Sequence, residues 1–246
     1  MINKLDLVAN IERYYLNGTV ESVKWNIANN KLNINFVSPN QDLVGHIECE
    51  TNLEDGTVGI FNTSSLLKML SILDMDILIN IEKQHKVSTK LQIEDSNFSL
   101  QYSLADPFII QSTPSINEPE YNIEFSIDSE FIMRFSKAKG ALGPNVKEIF
   151  RISTAINDEG NKQVKIILGE PTSHSNKVEF TAESAFKEMH IGYLTFNSAY
   201  VKEILNASKD DLIEAKGYIS TQGLLKLEIT LKTGKATYYL PEVQIG

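Results

Sequence analysis

Ile60-Phe61-Asn62-Thr63-Ser64-Ser65-Leu66-Leu67-Lys68-Met69-Leu70 indicates a duplicated fold, because the second half of the chain nearly repeats it. The repeat reads Thr195-Phe196-Asn197-Ser198-Ala199-Tyr200-Val201-Lys202-Glu203-Ile204-Leu205, and a strand-like segment follows each copy. Upstream of each copy, Ile11-Glu12-Arg13-Tyr14 is matched by Ile132-Met133-Arg134-Phe135. Chance does not readily repeat several elements in the same order, so we predict two copies of one architecture.

The length of the chain, 246 residues, is enough for two modest domains, each with its own core. The composition, 42% hydrophobic and 22% charged, is that of a folded globular protein. Residues 111–120 include Pro114 and Pro119 among polar residues, which is typical of an extended connector. We therefore predict an N-terminal domain at 1–110, a connector at 111–120 and a C-terminal domain at 121–246.

Hydrophobic periodicity predicts the same order of elements in both halves, namely helix, strands, helix, strands, and hence an α+β fold. Helices are expected at 5–14 and 65–73, after an Asp128 N-cap, and in the second copy of the repeat. Short alternating segments between turn residues predict antiparallel strands. These strands lie at 20–28, 31–37, 43–49, 57–61, 77–82, 87–93, 98–104, 121–127, 148–156, 163–168, 177–182, 191–196, 212–220, 224–232 and 236–240.

The chain shows no sign of a membrane or secretory protein. No apolar run approaches the roughly 20 residues that cross a bilayer, and the N-terminus lacks a basic stretch leading into an apolar segment. A single cysteine, Cys49, cannot form an intrachain disulfide and lies in a predicted strand, so we expect a buried, inert thiol. These features predict a cytoplasmic protein, in the host cell cytoplasm if the chain is viral.

The closing segment Ala236-Thr237-Tyr238-Tyr239-Leu240-Pro241-Glu242 is distinctive. Together with the duplication, the order of elements and the proline-bearing connector, it resembles the DNA sliding clamps of the proliferating cell nuclear antigen type. Those chains end in a similar Tyr-Tyr-Leu-Ala-Pro segment, whereas here Pro241 follows Leu240 directly. The short chain and the stretch Arg134-Phe135-Ser136-Lys137 look more like the clamps of T-even-type bacteriophages.

The resemblance implies a duplicated DNA-clamp fold that assembles as a homotrimeric ring around double-stranded DNA. Such a ring is a processivity factor without enzymatic activity or cofactor. Its partners are the replicative DNA polymerase and an ATP-dependent clamp loader, which bind through short peptide motifs, and a transcription factor stays open as a further partner. By analogy, strands 98–104 and 177–182 are expected to pair between subunits, which removes exposed sheet edges.

The net charge of −9 argues against nucleic acid unless the charges are unevenly distributed. Basic residues do gather on the predicted helices, whereas acids cluster in strands, turns and the connector. This distribution predicts a weak, sequence-independent contact with phosphates, although a solvated helix face explains any single lysine equally well. The candidate DNA-binding residues are Lys4, Arg13, Lys68, Arg134, Lys137, Lys139, Lys202 and Lys209.

A second surface is expected to be apolar, because clamps of this type bind partner peptides beside the connector and the C-terminal strand. The positions that match are Val37, Pro39, Leu43, Ile116, Tyr239, Leu240 and Pro241. Apolar groups gathered in this way make a groove for an aromatic anchor. The alternative for Leu43 and Val44 is a place in the core of a strand.

No catalytic constellation can be assembled from the sequence. The histidines at 46, 85, 174 and 190 lack metal-ligand spacing, and the pairs Asp74/Asp76 and Asp210/Asp211 follow helices, where turn acids are common. We therefore predict a protein that is not an enzyme and binds no metal or cofactor. Two alternatives stay open: a β-rich viral interaction or structural protein that does not encircle DNA, and a hydrolase with an unrecognised site.

Overall fold

The computed structural model describes residues 2–85, 87–143, 146–169, 176–187, 189 and 192–244. The chain divides into two compact units. The first consists of residues 1–115 and 231–236, and the second of residues 116–230 and 237–246. The division falls inside the expected connector, but the short segment 231–236, which the sequence assigned to the C-terminal domain, groups with the first unit.

The first unit contains two helices on antiparallel strands. Its elements are β1 (Ile2–Asn3), α1 (Lys4–Tyr15), β2 (Val23–Ala28), β3 (Lys31–Val37), β4 (Val44–Glu50), β5 (Gly56–Ile60), α2 (Thr63–Ser71), β6 (Asp76–Gln84), β7 (Val87–Glu94) and β8 (Ser99–Ser103). Their strand orders are β5-β2-β3-β4 and β1-β6-β7-β8.

The second unit repeats this plan. Its elements are β9 (Ile123–Ser126), α3 (Ser129–Ala141), β10 (Ile149–Ile156), β11 (Lys162–Gly169), β12 (Lys177–Phe186), β13 (Leu194–Asn197), α4 (Ser198–Ser208), β14 (Leu212–Ser220), β15 (Leu224–Leu231) and β16 (Gly234–Pro241). Their strand order is β13-β10-β11-β12-β9-β14-β15-β16, in which residues 184–186 of β12 pair with β9. Apart from that pairing, the two units share one strand order, in which β8 is the counterpart of β16 and β4 the counterpart of β12.

Polar caps begin the helices where the sequence placed them. The Asn62 side chain accepts a hydrogen bond from the Ser65 amide at 2.9 Å, and Asp128 accepts one from the Phe131 amide at 2.7 Å. Asn197, the repeat counterpart of Asn62, accepts one from the Ala199 amide at 2.9 Å. Each cap satisfies an amide that the first helical turn would otherwise leave unpaired.

Glycines opposite phenylalanines shape the sheets of both units. Gly45 on β4 faces Phe36 on β3, and Gly217 on β14 faces Phe125 on β9. In each pair the phenylalanine ring covers the glycine so closely that a Cβ on the glycine would overlap the ring. Both phenylalanines are buried, so the pairs belong to the core. Packing of an aromatic ring over a cross-strand glycine fills the space that a missing side chain leaves.

The segment just before the connector crosses the edge of β5. The Ala105 amide donates a hydrogen bond of 2.9 Å to the Gly59 carbonyl, and a Cβ at Gly59 would overlap the Ala105 carbonyl oxygen. A short 3-10 turn, Pro107–Ile109, follows, in which the Asp106 carboxylate accepts the Phe108 amide at 2.9 Å. This turn leaves Phe108 95% exposed. The close approach at Gly59 therefore fixes where the connector begins.

No helix in the described part of the chain is long and apolar enough to cross a membrane.

Candidate functional site

The helices of the second unit present a basic surface. Lys137 of α3 is exposed, as is Lys209 at the C-terminal cap of α4. Arg134 is also exposed, but it forms an ion pair with Glu130 one turn earlier, and its guanidinium donates to the Thr181 carbonyl at 3.3 Å. Lys202 is half-buried and lies 3.6 Å from Glu203. The positive charge that the helices of this unit offer to solvent therefore comes mainly from Lys137 and Lys209.

The helices of the first unit offer fewer cations to solvent. Lys68 of α2 is exposed, whereas the solvent face of α1 carries the acids Asp6 and Glu12. The ammonium group of Lys4 donates to the Leu73 carbonyl and is partly buried. The four helices together hold seven basic and four acidic residues, whereas the whole chain has a net charge of −9. Positive charge is thus enriched on the helices, as the sequence predicted, but unevenly.

The prediction that Arg13 faces DNA is wrong. Its side chain is fully buried, donates to the Asn10 carboxamide, and lies 3.3 Å from the Thr233 hydroxyl. Helical periodicity alone assigns this polar residue to the solvent side. The structure instead surrounds the guanidinium with polar partners inside the first unit, where it cannot reach a phosphate.

The prediction for Lys139 is corrected for a similar reason. Its ammonium group forms an ion pair with Glu148, just before β10, and its side chain is only 12% exposed. Lys4 is likewise committed to a carbonyl of its own unit. Both lysines therefore hold elements of the fold together, and the candidate DNA-facing set becomes Lys68, Arg134, Lys137, Lys202 and Lys209.

An apolar pocket of about 320 Å³ opens in the first unit, beside the start of the connector. Two of the residues predicted to bind partners, Val37 and Pro39, line it. Phe61 and Ile109 add large apolar surfaces that are 48% and 77% exposed. Its remaining lining residues are Val20, Glu21, Ser22, Phe36, Ile110 and Gln111. Exposed apolar side chains around a pocket of this size are suited to an apolar anchor of a peptide.

Two of the predicted partner-binding residues belong to the core instead. Leu43 is fully buried, and its amide and carbonyl are both bonded to Ser38, which closes the turn before β4. Leu240 is 1% exposed in β16. Period-two alternation explains both, since every second residue of a strand faces the core. The alternative interpretation of Leu43 as a core residue is therefore the right one.

The other predicted partner-binding residues lie in the second unit. Ile116 is half-buried in the connector, and Pro241 is exposed at the end of β16. The Tyr239 hydroxyl donates to one oxygen of Glu118 at 2.6 Å, and the other oxygen accepts the Lys226 ammonium at 2.8 Å. Burial raises the pKa of the Tyr239 hydroxyl, and the Glu118 carboxylate raises it further. Tyr239 is therefore a neutral hydrogen-bond donor.

Phe61 and Ile109 line the pocket although neither was among the predicted partner-binding residues. Phe61 lies in the stretch that the second half repeats, where the alternation of apolar and polar residues predicts only the end of a strand. Ile109 lies next to the predicted boundary between the N-terminal domain and the connector. The apolar run Phe108-Ile109-Ile110 after Pro107 was the available signal, because a solvated connector does not need three large apolar residues in a row.

The described part of the chain shows no metal-binding cluster. Among the described residues, no three histidine, cysteine, aspartate or glutamate side chains are placed to hold a metal ion. His46 contacts Asn35 at 2.5 Å on an exposed strand face, and His85 lies in a turn with φ of 51°. His174 and His190 lie outside the described residues. Burial raises the pKa of the Cys49 thiol to about 11, so the thiol stays protonated near neutral pH.

The chain was compared with known proteins. No protein-family model and no curated protein sequence matches it. Among solved structures, it is similar to PCNA from A. fulgidus bound to the C-terminal region of FEN-1, with a TM-score of 0.76 and 14% identity. That match covers 100% of this chain and 98% of the other. It is also similar to a chain of the PCNA2-PCNA3 complex from Sulfolobus tokodaii, with a TM-score of 0.70, 15% identity, and coverage of 98% and 97%.

These similarities show the fold. The α+β architecture with two similar units, each with two helices on antiparallel sheets, is the PCNA-like clamp fold. The sequence-based prediction of the fold class is confirmed. At 14% and 15% identity, the comparison extends to the fold alone.

Proposed function

We propose that this protein is a sliding clamp, a processivity factor that encircles duplex DNA as a homotrimer and tethers a replicative polymerase. We further propose kinship with the T-even-type phage clamps, a clamp loader as partner, no enzymatic activity, and action in the cytoplasm. The clamp fold and the enrichment of basic residues on its helices support the proposal. Two solved structures of this fold are a complex of two such chains and a complex with a segment of another protein, which supports assembly and peptide binding.

The open strand edges carry the proposal of a ring. Within the described residues, β8 pairs only with β7, and residues 177–183 of β12 pair only with β11. Their counterparts in the shared strand order are β16 and β4. Pairing of β8 of one subunit with β12 of the next covers both edges.

The experiment that tests the ring is light scattering over a dilution series. The chain has a mass of 27.6 kDa, so one, two and three chains are well separated. We expect the mass of three chains, falling only on strong dilution. A monomer at every concentration would contradict the trimer. Retention on circular DNA, abolished when the circle is linearised, then tests encirclement separately from assembly.

Reversing the exposed helix charges is expected to impair DNA-dependent function. In Lys68→Glu/Lys137→Glu, each subunit loses two cations and gains two anions on the helices. We expect reduced loader-dependent processive synthesis, and a salt slope lower by about 1 for each phosphate that a lysine no longer neutralises. Lys187→Glu makes the same kind of charge change at an 85% exposed lysine outside the helices, so it is the control. Unchanged processivity in an intact trimer would remove these lysines from the DNA-facing surface.

The pocket beside the connector is expected to bind a partner peptide. Phe61→Ala and Ile109→Ala each remove an exposed apolar side chain from its lining, so affinity for a polymerase C-terminal peptide should fall about tenfold or more. Fluorescence anisotropy measures this. Ile213→Ala truncates a 63% exposed apolar residue on β14 and should leave affinity unchanged. Equal affinities in all three variants would place the peptide elsewhere.

The second candidate function is a β-rich viral interaction or structural protein that does not encircle DNA. The exposed apolar side chains around the pocket favour it as much as they favour a clamp. The two proposals differ in one result: an interaction protein binds the peptide but shows no topology-dependent retention on circular DNA.

A further inference from the structure

A lysine enclosed by tyrosines lies on the sheet of the second unit. The Lys226 ammonium on β15 is 5.4 Å from the ring centroid of Tyr121, and 5.8 Å from those of Tyr218 and Tyr239. Only 14% of the Lys226 side chain is exposed. Aromatic rings around a partly desolvated cation stabilise it through their negative faces. The cation is therefore held at a defined place on β14–β16.

Both carboxylate oxygens of Glu118 accept hydrogen bonds beside Lys226 and its tyrosines. One accepts the Lys226 ammonium at 2.8 Å and the other accepts the Tyr239 hydroxyl at 2.6 Å. Lys226 also pairs with Glu228 at 2.7 Å. Burial alone would raise the pKa of Glu118, but the hydrogen bonds from Lys226 and Tyr239 outweigh it and lower the pKa. An isolated surface ion pair contributes little to stability. The Glu118 carboxylate instead accepts a charge-assisted hydrogen bond from Lys226 and a short hydrogen bond from the Tyr239 hydroxyl, next to the tyrosine rings.

Glu118 belongs to the connector, and its partners do not. Lys226 and Tyr239 are on β15 and β16, neighbouring strands of the second unit, so the contact fixes one end of the connector to this sheet. Six residues, 112–117, separate Glu118 from Gln111, the last residue that lines the apolar pocket. The connector therefore runs from the pocket directly into this fixed point.

We propose that the contact of Glu118 with Lys226 and Tyr239 is a latch that holds the connector ordered and thereby sets the affinity of the pocket for peptides. This inference rests on the proposed function, because it assigns a regulator of the same peptide site. A connector that is already ordered loses less conformational freedom when a peptide binds. Glu118 is thus a positioning residue that acts through the connector.

The test compares two neighbouring carboxylates. Glu118→Gln removes the charge of the latch, whereas Glu120→Gln removes that of an exposed connector residue, 3.3 Å from Lys187. Hydrogen exchange of the Asn122 amide, which directly follows Tyr121 and donates to the Ile219 carbonyl at 2.9 Å, reports the latch. Anisotropy with a short fluorescein-labelled peptide that carries an aromatic anchor residue reports the pocket. We expect Glu118→Gln to speed exchange by about tenfold and to weaken binding by about fivefold, with little change in Glu120→Gln.

A second pair of variants separates a latch from a general loss of stability. Tyr239→Phe removes only the hydroxyl and keeps the ring, so it should reproduce part of the Glu118→Gln effect. The double variant should not add the two effects, because both remove the same contact. Full additivity, or unchanged exchange in Glu118→Gln, would overturn the latch.

The peptide data decide the other half of the inference. Faster exchange with unchanged peptide affinity would overturn the link between latch and pocket. If the wild-type chain does not bind the peptide, the proposed peptide site fails and the link fails with it. The exchange difference between Glu118→Gln and Glu120→Gln still decides whether the latch exists.

Discussion

Replacing Arg13 with alanine is expected to lower the free energy of unfolding by about 3 kcal/mol. The side chain is fully buried, so its removal leaves a cavity in the first unit. It also leaves the Asn10 carboxamide without a donor that the wild-type arginine supplies. Denaturant unfolding followed by circular dichroism measures the change as a lower midpoint with an unchanged slope.

Two controls give this result its meaning. Arg13→Met keeps most of the volume and removes the charge, so its cost should be smaller, about 1 kcal/mol. Lys137→Ala truncates an exposed cation and should change stability by less than about 0.5 kcal/mol. Wild-type stability in Arg13→Ala, together with weaker DNA retention, would return Arg13 to the DNA-facing surface that helical periodicity predicts for it.

The second large effect is expected at Gly217. A Cβ there would overlap the Phe125 ring, which is buried and packs 5.7 Å from the ring of Phe131. Because the ring is buried, its displacement disturbs core packing, and Gly217→Ala should lower the free energy of unfolding by about 1 to 3 kcal/mol. Gly45→Ala should act in the same way against Phe36 in the first unit.

Gly140 is the matched control for these substitutions. It lies in α3, and a Cβ at Gly140 meets nothing within 4 Å. Alanine has the better helix propensity, so Gly140→Ala should raise the free energy of unfolding by about 0.5 to 1 kcal/mol. Thermal unfolding should thus show a lower midpoint temperature for Gly217→Ala and Gly45→Ala and a higher one for Gly140→Ala. Stabilisation by Gly217→Ala would mean that the Phe125 ring does not cover the glycine.

The sequence was sufficient to predict elements whose signals are local. Asn62 and Asp128 cap helices because their short polar side chains reach the first amides, and this depends only on nearby residues. The strand predicted at 98–104 lies at 99–103. The strand predicted from residue 20 begins at Val23, since Leu16 and Asn17 adopt left-handed conformations and a 3-10 turn precedes it.

Residues whose role depends on distant partners could not be assigned in this way. Arg13 is polar on a helix, and only the tertiary structure shows that Asn10 and Thr233 surround it. Lys139 resembles Lys137 in sequence, yet it is Lys139 that forms an ion pair with Glu148 of the following segment. Helical periodicity separates polar from apolar faces, but it does not say which charges the fold itself uses.

The pocket at Phe61 and Ile109 has a consequence for how long a partner stays. In the proposed homotrimer, one pocket per chain becomes three equivalent pockets on a single particle. Suppose that a second contact keeps a partner on the ring after its peptide motif leaves one pocket. The motif then stays near the next pocket at a high effective concentration. Modest affinity at each pocket then suffices for long residence, and different partners can exchange without leaving the DNA.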